Sequence, residues 1–388
     1  MTNTFSRTDE SLFGRWWWTI DRGMIAIIFS ISACGAILAL AASPAVAERL
    51  NLDTFFFVRR QFIILPLSLM VMFMVSLLNR EGIKRLAIGC FVFAFLMMIY
   101  TLINGEEIKG AIRWVRFGGL SIQPSEFIKP SFAVIAAWLL STWRIKDDSP
   151  GYLLSIGIYL SVVALLLMQP DVGMAILVSV VWGVQFFLAG LPMFLVLGVG
   201  IIFITGGFCA YFSFSHVQTR IDRFFDPAGT EAYQVARSLE AFRNGGIFGR
   251  GPGEGRVKEI LPDAHADFIF AVAGEEFGLI MTLLIVGLFF FLILRGFIRA
   301  FKETDLFVQL AVAGLLIQVG LQAIINMAST LNLMPTKGMT LPLISYGGSS
   351  ILALAIGLGF VLALTRERPG QNDLLDDLGG KDMEGYKF

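Results

Sequence analysis

Along the chain, apolar runs of roughly 20 residues alternate with shorter polar stretches, the pattern of membrane-spanning helices. Ten spans are expected, near 23–43, 61–79, 86–104, 126–143, 151–169, 171–189, 191–213, 267–298, 305–329 and 343–365. The predicted fold is an all-α integral membrane protein, a polytopic bundle of about ten transmembrane helices. It is preceded by an N-terminal segment (1–22), occupies 23–365, and is followed by a polar tail (366–388) expected to be disordered. An even number of spans returns both termini to one side. The short loops there carry NREGIKR (79–85), WRIK (143–146) and RGFIRAFK (295–302), and TRER (365–368) follows the last span. Lys and Arg collect on the cytoplasmic side, so both termini are expected there. The one large loop, 214–266, between spans 7 and 8, is then extracytoplasmic. Its NGGIFGRGPGEG (244–255) is dense in turn signals, which points to an ordered, functional segment.

Composition agrees with a membrane class: 56% of residues are hydrophobic and 15% charged, and the mean hydropathy is +0.74. A formal net charge of +0 argues against a nucleic-acid partner. Cys34, Cys90 and Cys209 all fall in apolar runs, an arrangement with neither a disulfide framework nor metal-ligand spacing. With only His216 and His265 present, a His-rich metal site is excluded. The stretch MIAIIFSISACGAILAL before SPAVAE has the outline of a signal peptide, but its apolar core is too long for one. An uncleaved first helix is expected, with RWWW (15–18) as its interfacial anchor.

LPDAHADFIFAVAGEEFG (261–278) interrupts the apolar pattern with carboxylates. If span 8 starts at Asp267, then Ala271, Gly274 and Gly278 share its face, small residues of the kind that look into a bundle. Asp267 would then sit at the mouth of an interior cavity, with Glu276 about 14 Å further in. Ionisable residues at membrane depth point to function, although Glu275 and Glu276 could equally be structural ion-pair partners. A second cluster, KGAIRWVRFGGLSIQPSEFIKP (109–130), supplies Arg113, Glu126 and Lys129. In a third, PTKGMTLPLISYGGSS (335–350), Lys337 precedes a glycine-rich helix start of the kind that suits phosphate groups.

These segments, with QPDVG (169–173), RIDRFFDP (220–227) and QVARSLEAFRNGGIFGRGPGEG (234–255), resemble the SEDS family of bacterial cell-wall glycosyltransferases (shape, elongation, division and sporulation). The match runs in family order through the membrane portion, and the form with Thr336 and Lys337 is that of the division branch rather than the elongation branch. The resemblance implies polymerisation of lipid II into glycan strands at the division septum of the cytoplasmic membrane. It also implies partnership with a class B penicillin-binding protein of the FtsI type and with other divisome proteins. Asp267 corresponds to the family's catalytic aspartate. Substrate contacts carried over on the motifs are Arg113, Lys129, Gln234, Ser238, His265, Lys337, Ser345, Tyr346, Gly347 and Gly348. Asp263, Ala266, Ile112 and Gly255 depart from the usual Glu, Thr, Arg and Ser. The implied chemistry is an inverting displacement with Asp267 as general base. Arg113, Lys129 and Lys337 would stabilise the departing pyrophosphate. A divalent cation, Mg or Mn, could share that role, and no other cofactor or metal ligand set is expected. A lipid flippase, an elongation-type polymerase and a non-catalytic division scaffold are the competing readings. The crowding of motifs on one side weighs against the flippase.

Overall fold

The computed structural model describes residues 11–108, 111–117, 120–145, 149–190, 230–335 and 338–367, with scattered positions between 198 and 222. A short helix, Leu12–Thr19 (α1), leads into Arg22–Arg49 (α2), Phe56–Ser76 (α3) and Arg80–Asn104 (α4). Strands Glu106–Ile108 (β1), Ala111–Phe117 (β2) and Leu120–Ile122 (β3) precede Pro124–Ile145 (α5), Gly151–Met168 (α6) and Val172–Leu188 (α7). Next come Thr230–Gly245 (α8), Val257–Ile260 (α9), Ile269–Ala300 (α10), Leu306–Thr330 (α11) and Gly348–Leu364 (α12). Among the described residues, α2, α3, α4, α6, α10 and α11 are long and apolar enough to cross a membrane, and α7 and α12 are shorter apolar helices. The expected span 191–213 lies largely outside the described residues.

Several helix starts follow from single residues. Asp21, Asn79, Asp171 and Asp305 accept the N–H groups of Met24, Gly82, Met174 and Phe307, satisfying donors that a first helical turn leaves open. The bundle packs α12 along α3, and α5 against α4 and α11. Small residues set the closest approaches: a Cβ on Gly359 would lie 2.9 Å from the Met72 carbonyl oxygen. The RWWW segment divides its work. Trp16 turns inward and donates to Ser76 Oγ (2.7 Å), while the Arg22 guanidinium lies 5.1 and 4.4 Å from the Trp17 and Trp18 rings. Asp21 is pinned by Arg295 and Arg299, both at 2.7 Å. Burial pushes its carboxyl up, but hydrogen bonds from Arg295, the Met24 N–H and Arg299 outweigh that and hold it below its ordinary value.

The all-α expectation omits one element. Between α4 and α5 the chain forms a three-stranded antiparallel meander, with Glu106 opposite Trp114 and Val115 opposite Ile122. The β-branched and aromatic residues of IRWVRF suit a strand, and the charges in that segment drew attention to its chemistry instead.

The second departure is inside α10. Gly278 has φ 72° and ψ −165°, a backbone region essentially reserved for glycine, and it breaks the helix. The loop after α8 fills the break. Leu279 and Ile280 donate to the carbonyls of Gly246 (2.9 Å) and Ile247 (3.4 Å), and Arg250 and Gly251 donate to those of Glu275 (2.9 Å) and Glu276 (3.0 Å). Approach is so close that a Cβ on Gly245 would meet the Gly274 oxygen at 1.8 Å. The two glutamates complete the joint, which decides between their two readings. Glu275 accepts from the N–H groups of Arg256 (3.1 Å) and Val257 (3.0 Å). Glu276 pairs with Lys258 (2.6 Å) and accepts from the Gly253 N–H (2.7 Å). Lys258 also donates to the Ala41 carbonyl of α2 at 3.0 Å. Glu275 and Glu276 are structural.

Gly278→Ala is therefore expected to lower the thermal unfolding midpoint in detergent or nanodiscs, with roughly 1–3 kcal/mol lost from backbone strain alone. Gly287→Ala, in the same helix with nothing within 4 Å of its Cβ position, should leave the midpoint unchanged.

Candidate active site

The helix expected from Asp267 begins at Ile269, with Phe268 at its N-cap. Asp267 lies in the turn before it, because the Asp263 carbonyl gathers the N–H groups of Ala266, Asp267 and Phe268 at 3.0, 3.0 and 3.4 Å. The helical face predicted to carry Asp267 beside Ala271 therefore starts too late to include it. Asp263 itself takes left-handed backbone (φ 52°), which Asp tolerates better than most residues. That suits the departure from Glu at this position.

Three successive carbonyls of this turn are held from outside. Tyr346 N–H donates to the His265 oxygen (3.0 Å), Ser345 Oγ to that of Ala266 (2.6 Å), and Asn326 Nδ2 to that of Asp267 (2.9 Å). Asn326 also donates to the Met339 carbonyl (2.7 Å), and Ser345 Oγ accepts from the Leu341 N–H (2.8 Å). The backbone under Asp267 is thereby bound to α11 and to the segment 338–346. Asp267 as a residue is partly exposed, and its carboxylate faces Gly338, where a Cβ would stand 3.5 Å from Asp267 Oδ2. Beside it, the His265 ring packs on Phe57 (4.5 Å) and Tyr346 (5.2 Å).

A second polar group lies one turn away along α11. Gln322, four residues before Asn326 and so on the same helical face, donates to the Thr340 carbonyl (3.1 Å) and accepts from Lys129 Nζ (3.0 Å). Lys129 is buried and pairs with Glu126 at 2.8 Å. Thr340 Oγ1 lies 2.8 Å from Ser350 Oγ. Arg113, on β2, faces the QPD turn: it donates to the carbonyls of Gln169 (3.3 Å) and Pro170 and pairs with Asp171 at 3.4 Å.

Of the predicted residues, His265, Asp267, Ser345 and Tyr346 come together directly, with the partly exposed Gly347 and Gly348 following at the start of α12. Lys129 joins them through Gln322 and Thr340. Ser238 is buried and donates to the Thr330 carbonyl (2.7 Å), seating α8 on the end of α11, with Gln234 one turn earlier and partly exposed. Lys337 lies outside the described residues. Asn326, Gln322 and Phe57 were not anticipated. The signal for the first two was available, as two amides four residues apart in an apolar helix need partners. Among the described residues no three His, Cys, Asp or Glu side chains gather as metal ligands.

The family model described as cell cycle protein, covering FtsW, RodA and SpoVE, matches residues 21–369. The chain is 43% identical over 370 residues to a probable peptidoglycan glycosyltransferase FtsW of Caulobacter vibrioides, covering 95% of each. It is 32% identical over 357 residues to the protein of that description from Escherichia coli O157:H7, covering 89% of this chain and 86% of the relative. A chain from a peptidoglycan synthase complex that coordinates polymerization and crosslinking superposes with a TM-score of 0.74 at 29% identity, over 90% of this chain and 98% of that one. The rod shape determining protein RodA of Thermus thermophilus gives 0.65 at 29% identity, over 90% and 97%.

Removing one partner of the buried Lys129–Glu126 pair strands the other charge. Lys129→Met is expected to cost roughly 3–5 kcal/mol, and Lys129→Met with Glu126→Gln markedly less. Thermal unfolding of both variants in nanodiscs checks the order.

Proposed function

The chain belongs to the FtsW/RodA/SpoVE family of cell cycle proteins, and on that premise we propose that it is a division-type peptidoglycan glycosyltransferase that polymerises lipid II. The observation that carries this reading is the Asp267 turn: a partly exposed aspartate whose supporting carbonyls are fixed one after another by Asn326, Ser345 and Tyr346. Such fixity is what a general base needs, since small misplacements of reacting groups are expensive.

In the proposed step the acceptor sugar hydroxyl gives its proton to Asp267 as its oxygen attacks the anomeric carbon of the donor. A new glycosidic C–O bond forms. The bond from that carbon to the pyrophosphate oxygen breaks, its electron pair leaving with the polyprenyl pyrophosphate, and the α-link becomes β. Asp267 then returns its proton to water. Arg113 and Lys129 are each already paired with a carboxylate, Asp171 and Glu126. Lys337, adjacent in sequence to the glycine that faces Asp267, is the third cation proposed to meet the departing charge.

The architecture that goes with this reading has ten spans over 23–365, the seventh at 191–213, with the 214–266 loop extracytoplasmic and both termini cytoplasmic. Arg80, Arg295, Arg299 and Arg366 all belong to the cytoplasmic side of that arrangement, which supports the orientation. The partner is a class B penicillin-binding protein, in keeping with the synthase complex whose chain this one resembles. The site of action is the division septum, on the strength of the Thr336–Lys337–Gly338 form.

Purified protein with a transpeptidase-inactive partner and labelled lipid II is the test. Wild type should yield glycan polymer, and Asp267→Ala and Asp267→Asn, folded by their unfolding midpoints, should be slower by about 10²–10⁴-fold. Polymer at wild-type rate from either variant would remove Asp267 from the mechanism.

A further inference from the structure

The surface of α10 changes character at its break. Residues 269–276 are buried on every side, whereas Leu279, Ile280, Leu283 and Leu284 are 50, 55, 60 and 49% exposed. From Leu279 to the end of α10 at Ala300 the helix rises about 33 Å, close to the ~30 Å hydrocarbon thickness of a bilayer. In a membrane protein that exposed apolar strip is the lipid-facing one, and it begins at Leu279. Gly278 therefore marks the acyl boundary of the leaflet on the Asp267 side.

At that same level the loop after α8 presents two large apolar side chains to the outside, Ile247 at 59% and Phe248 at 80% exposure. Their backbone is bonded to the first residues of the strip, Leu279 to Gly246 and Ile280 to Ile247. Beyond the tip, Arg250 and Gly251 donate to the Glu275 and Glu276 carbonyls, and a Cβ on Gly249 would meet the Glu276 oxygen at 2.1 Å, so the tip is fastened to α10 on both sides. Exposed Arg243 and Arg250 flank it, Arg250 also pairing with Glu275 at 3.6 Å, and Arg243 is a cation suited to the phosphate headgroups just above an acyl boundary.

We infer that the Ile247–Phe248 tip is a membrane wedge, inserted at the acyl–headgroup boundary of the leaflet on the Asp267 side and continuous with the lipid-facing strip of α10. Its occupant is the lipid itself. The wedge ties the break, and with it the buried strut from Ile269 to Gly278 (about 14 Å long), to a fixed height in the bilayer. Asp267, at the far end of that strut, is thereby set above the acyl chains rather than among them. The wedge stands on exposure and bonding alone and does not depend on the proposed chemistry.

The test is a nitroxide at Phe248→Cys, and separately at Ile247→Cys, with Cys34, Cys90 and Cys209 replaced by Ser, in nanodiscs of phosphatidylglycerol and phosphatidylethanolamine without any partner protein. Collision with oxygen should exceed collision with a water-soluble nickel chelate several-fold at both positions, as at Leu283→Cys, and the ratio should invert at Arg243→Cys. Preference for the nickel chelate at position 248 would put the tip in water and overturn the inference. A label immobilised and shielded from both reagents would mean that protein, not lipid, covers the tip, and would also overturn it.

Discussion

A helix broken inside a buried, apolar bundle leaves N–H and C=O groups that need new partners, and the Asp267 half of this molecule is organised around that demand. Gly278 makes the break. The loop 245–258 answers it by threading its own backbone into the gap, which only a run of glycines permits at such close range. Glu275 and Glu276 are fully buried in protein and would be prohibitive there without partners. Here they serve as the fastening, receiving amides of the returning loop and the ammonium of Lys258, which reaches on to α2. One discontinuity thus fixes α8, α9 and α2 to α10.

With α10 immobilised, its first residues become a platform for the turn that carries Asp267. The turn is then read from the other side by α11. Asn326 and Gln322 project from one face and hold the carbonyls of Asp267, Met339 and Thr340, and Gln322 passes the connection to Lys129 and Glu126. The backbone that carries Asp267 and the segment from Met339 to Thr340 are therefore parts of one hydrogen-bonded unit. Preorganisation of this kind lets a single carboxylate act as a base without rearrangement during reaction.

Much of this was legible in the sequence, and the failures have physical causes. The apolar periodicity located the helices because a bilayer demands it, and Asp21, Asn79, Asp171 and Asp305 mark starts by their capping chemistry. Asp267 was singled out by its position at the head of an apolar run and again by family motif, and His265, Ser345 and Tyr346 were carried over on the motifs as substrate contacts. The helical-face argument for Asp267 failed because Asp263 closes a turn that periodicity cannot anticipate. The meander of 106–122 was hidden by its charges. The role of Glu275 and Glu276 was undecidable from the chain because their partners, Gly253, Arg256, Val257 and Lys258, lie on the far side of a turn. The carboxylate partners of Lys129 and Arg113, Glu126 and Asp171, were likewise not legible in the chain. A cation's presence is visible in sequence, but its counter-ion is a property of the fold.

The central claim is that Asp267, held by its clamped carbonyls, is where the acceptor hydroxyl loses its proton. A structure of the protein with its class B partner and an inert lipid II analogue tests it most directly. The account predicts an acceptor sugar hydroxyl within about 2.6–3.2 Å of the Asp267 carboxylate, with the turn unmoved and the pyrophosphate toward Lys337. An acceptor hydroxyl held by another side chain, out of reach of Asp267, would contradict it.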